Sequence, residues 1–137
     1  MHRLKPILLA AAAYLLPLTV TAEEAIPPGA GRMLQQLGEE DWILRAEALN
    51  YVGAHRLAAA EEKVREILRD ESEQPWIRGQ ALLALARIDP RRAAGDASRF
   101  AGHENVVVRV AAAAAIETLP ADIDIAALDK LLEDSAP

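Results

Sequence analysis

The feature that most limits what this chain can fold into is an internal repeat. An aliphatic residue followed by arginine occurs three times, as Leu44-Arg45, Ile77-Arg78 and Val108-Arg109, and each copy continues in the same way. An alanine falls three residues after the arginine (Ala48, Ala81, Ala112), and an aliphatic residue falls seven after it (Val52, Leu85, Ile116). Offsets of three and seven place these side chains on one stripe of a helix. The arginines are 33 and then 31 residues apart. That is the length of one helix-turn-helix unit, and such a period marks architectures in which each unit buries its apolar face against the next.

Between the copies the pattern is also helical. Leu57, Ala60, Val64, Ile67 and Leu68 recur at three- and four-residue spacing and predict a helix over 56–70. Pro75 and the pair Asp89-Pro90 are start signals, since Asp caps free N–H groups and Pro is tolerated in a first turn. They predict helices over 75–87 and 90–101. A helix over 106–119 stops at Pro120, and Ile125, Leu128, Leu131 and Leu132 predict a last one over 123–132. A weaker helix over 32–37 precedes one over 42–52.

Composition agrees with helices rather than sheets, because aromatic residues are only 4% of the chain and alanine is abundant. The chain has no cysteine, which excludes a disulfide scaffold, a thiolate zinc site, a cysteine nucleophile and a lipoprotein anchor. Residues 1–22 carry a basic start (His2, Arg3, Lys5), an apolar run from Ile7 to Leu16, Pro17, and small residues up to Ala22. This is the layout of a cleaved signal peptide, with cleavage expected after Ala22, and the run is too short to span a membrane. It implies a periplasmic or secreted protein without stable membrane insertion. Residues 23–31, with Pro27, Pro28 and Gly29, read as an unstructured linker, and 32–134 as the folded domain. Without Arg3 and Lys5 the 15 basic residues become 13 against 21 acidic ones, a net charge of −8. Such a chain repels nucleic-acid backbones, so no nucleic-acid partner is expected.

The motif Leu44-Arg45…Ala48-Leu49…Val52-Gly53 and its two copies resemble the HEAT family, in particular the short bacterial HEAT-like repeats related to those of phycobilin lyases. The resemblance covers roughly 32–132. It implies an all-α, right-handed α-solenoid of antiparallel pairs: 32–37 with 42–53, 56–70 with 75–87, and 90–101 with 105–119, plus 123–132 as a half-repeat cap. It also implies that the second helix of each pair lines a concave face. One departure is Ala113, which stands where the other copies have leucine.

Candidate functional residues follow from the faces left over by the repeat core. Arg45, Arg78 and Arg109 are expected to brace neighbouring repeats by bonding carbonyls or carboxylates. His103-Glu104 is the one adjacent His-acid pair, which supplies too few ligands for a metal site, and no metal or other cofactor is expected. No triad, Gly-rich phosphate loop or G-x-S-x-G turn is present, so no catalytic residue is assigned. Trp42, Glu47, Asn50 and Tyr51 on the first motif helix, with Trp76, Gln80 and Leu83 on the second, are expected to form a concave partner-binding face, because tryptophan and tyrosine often carry binding energy. The expectation is a non-catalytic interaction module for a peptide, loop or helix of another envelope protein. The alternatives are a chromophore- or small-ligand-handling enzyme resembling the HEAT-like lyases, and a self-associating structural unit, with the alanine-rich third motif helix as a homodimer face.

Overall fold

The computed structural model describes residues 26–123 and Ala126. The expected signal peptide and nearly all of the helix expected over 123–132 lie outside the described residues. Among the described residues the protein is all-helical, with six α-helices and one 3-10 turn. We number them α1 (Ala30–Gln36), α2 (Trp42–Ala54), α3 (Glu61–Arg69), α4 (Pro75–Ile88), α5 (Pro90–Ala101) and α6 (Val106–Glu117).

Each motif helix starts where its sequence provides a cap or a proline. Asp41 accepts the Ile43 N–H at 2.8 Å, Asn105 accepts the Val107 N–H at 2.9 Å, and Pro75 stands in the first turn of α4. Asp89 caps α5 by accepting the Arg92 N–H at 3.1 Å. The first helix starts two residues before the expected position. Gly29 takes the left-handed conformation (φ 85°) that turns the Pro27-Pro28 segment into α1, and Ala30 is buried there.

The helix expected over 56–70 is shorter for a local reason. The Leu57 N–H bonds the Val52 carbonyl and the Arg56 N–H bonds the Gly53 carbonyl, which is a Schellman termination of α2 with Arg56 at φ 50°. Arg56 and Leu57 therefore end one helix instead of starting the next. The 3-10 turn Ala58–Ala60 then leads into α3.

Packing is centred on α4, which contacts α2, α3, α5 and α6. The motif helices α2, α4 and α6 lie side by side, and each packs against the helix that precedes it, α1, α3 or α5. Ile77, Leu82 and Leu85 of α4, with Leu49, Val52, Val64 and Leu68, are the large side chains of one continuous core. The other partners are mostly alanines, which let backbones approach. Between α2 and α4, a Cβ built on Gly53 would lie 3.0 Å from the Ala84 Cα. Between α4 and α6, a Cβ on Gly79 would lie 2.9 Å from the Ala111 Cβ. The preceding helices are joined by long side chains: Arg65 of α3 pairs with Glu61 and with Asp96 of α5, and Arg92 of α5 reaches back to Glu61 and Glu62.

Two glycines in helix interiors should respond oppositely to alanine. Gly79→Ala is expected to lower stability by about 1–3 kcal/mol through overpacking against Ala111. Gly95→Ala has nothing within 4 Å of its new Cβ, so it should raise stability by about 1 kcal/mol through helix propensity. Thermal unfolding followed by circular dichroism reads both. Arg56→Gly removes the left-handed strain of a non-glycine residue and should add about 0.5–1 kcal/mol. That corresponds to a rise in Tm of roughly 2–8 °C for a domain of this size.

Candidate functional site

The three repeat arginines occupy one register but make different contacts. Arg45 Nη1 donates to the Glu39 and Glu40 carbonyls, both at 2.7 Å, and its Nη2 pairs with Glu73 at 2.9 Å, in the loop before α4. Arg109 repeats the first part of this pattern, with Nη1 donating to the His103 and Glu104 carbonyls at 2.8 Å each. Arg78 differs and is buried. Its Nε donates to the Leu68 carbonyl at 2.9 Å, and its guanidinium lies 5.4 Å from the centroid of the Phe100 ring.

His103 sits in the loop before α6 and is occupied by local structure. Its Nδ1 accepts the Asn105 N–H at 3.0 Å, which places the ring proton on Nε2. Nε2 then lies 3.5 Å from Arg78 Nη1 as a contact between two donors. Glu104 is exposed beside it. Among the described residues no three His, Asp or Glu side chains gather in a way that would hold a metal ion. Likewise, among those residues no helix is long and apolar enough to cross a membrane.

The residues expected on the partner-binding face separate into three groups. Trp42 and Trp76 come together edge to face, with ring centroids 5.1 Å apart, and the Trp76 indole N–H donates to Gln74 at 2.7 Å. Trp42 is 43% exposed, while Trp76 is half-buried along with Gln80 and Leu83. Glu47 and Asn50 are exposed. Glu47 accepts a bond from Gln36 of α1 at 3.2 Å, and the Tyr51 hydroxyl donates to the Pro28 carbonyl at 2.6 Å with its ring against His55. Glu47 and Tyr51 are thus turned toward α1 and the segment before it.

Ile43 was not among the expected residues, yet it is 56% exposed. A signal for it existed. Ile43, Trp76 and Val107 are separated by the same 33 and 31 residues as the arginines, so each repeat places one large apolar side chain at the same point of its first turn. Val107 is 44% exposed. Because α2, α4 and α6 lie side by side, the three form a row, with Trp42 filling in beside Trp76. No family model, curated protein or solved structure matches this chain.

Of the clefts among the described residues that lie away from this row, two adjoin α1 or the loop after it. One of about 420 Å³, between α1 and the turn at Arg56, is lined by Pro27, Leu34, His55 and Leu57. The other, of about 380 Å³, is polar and is lined by Glu39, Glu40, Arg45, Asp70 and Glu73. Hydrogen bonds from the Ser72 hydroxyl and N–H hold the Asp70 carboxyl below its ordinary range. Those bonds fold the loop before α4 that presents Glu73 to Arg45.

The two kinds of arginine contact predict different responses to truncation. Arg78→Ala leaves the buried Leu68 carbonyl unpaired and opens a cavity, and should cost roughly 2–4 kcal/mol. Arg109→Ala removes bonds to carbonyls at an exposed loop, and should cost less than about 1 kcal/mol. Urea titrations of the two variants measure the difference directly.

Proposed function

We propose that the chain is a non-catalytic protein-interaction module acting in the periplasm or outside the cell, built as a short right-handed HEAT-like α-solenoid of three helix pairs. The reading of the pairs as repeats is supported by the shared register of Arg45, Arg78 and Arg109 and by the side-by-side contacts of the three motif helices. The observation that carries the functional reading is the row Ile43, Trp76 and Val107. Ile43 and Val107 are exposed and Trp76 is partly buried against the core, with Trp42, Val106 and Val110 exposed beside them. Residues of that kind in a row suit an extended or helical segment that sets one side chain against each repeat.

The loops ahead of the row specify the partner further. Glu39, Glu40, Asp41, Glu71 and Glu104 are exposed there. A segment with apolar anchors flanked by lysine or arginine complements both features, with the charges governing the rate of encounter more than the final affinity. Localisation outside the cytoplasm rests on the signal-peptide pattern of residues 1–22.

A photo-crosslinking residue at Val107, with a control at the exposed Lys63 on α3, tests this in the native envelope. A discrete adduct with another protein is expected at Val107 and not at Lys63, weakened when Ile43→Lys is added. Identical adducts from both positions, or none from Val107, would reject the row as the docking surface.

A further inference from the structure

Helix α6 is the last motif helix among the described residues, and part of its surface is apolar and exposed. Val106 is 57% exposed and Val110 is 62% exposed, with Ala113 exposed one turn further on. In register the counterparts of Val110 (Ala46 and Gly79) and of Ala113 (Leu49 and Leu82) are half-buried or buried on α2 and α4, whereas those of Val106 (Trp42 and Pro75) stay exposed. Val106 is the counterpart of Trp42, which packs on Trp76, and Val110 is the counterpart of Gly79, which packs on Ala111.

The opposite end of the row of motif helices presents the matching side. There Ile43 is the counterpart of Trp76, Glu47 is the counterpart of Ala111, and Glu40 is the counterpart of Glu73. Within the chain, Arg45 reaches across the step to Glu73 and its side chain is only 14% exposed. Arg109 stands at Arg45's position on α6, is exposed, and among the described residues makes no ion pair. Glu40 is likewise exposed and outside any ion pair of the described residues. One end therefore carries a valine pair with an arginine, and the other an isoleucine with a glutamate.

We infer that a second copy of this chain stacks on α6, placing its Ile43 against Val106 and its Glu40 against Arg109. The contact is head-to-tail, so each copy keeps one free end of each kind, and assembly stays open rather than closing at a dimer. Stacking needs only the side-by-side order of α2, α4 and α6. It does not depend on a foreign partner binding the row, so either proposal can fail while the other stands.

Sedimentation equilibrium of the processed full chain over rising concentration, up to about 1 mM, covers the range of a weak association. The expected result is a weight-average mass that climbs past that of a dimer. Arg109→Glu and Glu40→Arg should each remove this rise. An equimolar mixture of the two variants should restore it, because the copies can then alternate, with opposite charges at every junction: the reversed pair at one and the native pair at the next. Restoration also shows that both variants are folded. A rise unaffected by either reversal would overturn the proposal, as would a closed dimer or a monomer throughout. If the full chain is monomeric and a version ending at Ile123 associates, residues 124–137 cover the α6 face, which overturns the stacking for the intact protein.

Discussion

Everything in this molecule depends on how closely its motif helices approach one another. At Gly53 against Ala84, and at Gly79 against Ala111, there is no room for a larger side chain without displacement. Close approach increases dispersion contact between backbones, and it explains why a chain with so few aromatic residues can hold a buried core. It also sets the distances across which everything else acts. Arg45 reaches Glu73 and Trp42 reaches Trp76 only because α2 and α4 are drawn together in this way.

The arginines show how one motif position acquires several roles. In the first repeat the arginine closes its own loop and grips the next loop through a carboxylate. In the second it turns inward to the Leu68 carbonyl and the Phe100 ring, although Glu104 stands in the following loop at the position of Glu73. Arg65 is a further case. Its side chain is 2% exposed, and its charge is held by two carboxylates, Glu61 on its own helix and Asp96 on the next. A buried guanidinium needs that compensation, and removing either acid would leave it with a single carboxylate.

The apolar row is a consequence of the same repetition. A residue type placed once per repeat becomes a row when the repeats lie side by side, and the two ends of that row differ because nothing among the described residues covers them in the same way. Apolar side chains that would be scattered singly on an ordinary surface here occupy equivalent first-turn positions on neighbouring helices. Alignment of this kind is what turns small exposed areas into a surface able to hold a segment of chain.

Much of the helix layout was legible in the sequence because it is encoded locally. Caps and prolines mark the starts at Trp42, Pro75, Pro90 and Val106, and three- and four-residue periodicity marks the buried stripes. The repeat register identified the arginines, and applied one position further it also marks Ile43. The close of α2 was not legible, because Arg56 takes a left-handed conformation that residues of its type rarely adopt, held by the bonds from Leu57 to Val52 and from Arg56 to Gly53. Nor was the burial of Arg65, which in sequence is an ordinary charge four residues from Glu61 until Asp96 arrives from 31 residues away. Local propensity and periodicity are properties of neighbouring residues and survive in the sequence. Which tryptophan meets which, which tyrosine is tied to Pro28, and which arginine is buried depend on distances between helices, and those are decided only when the helices pack.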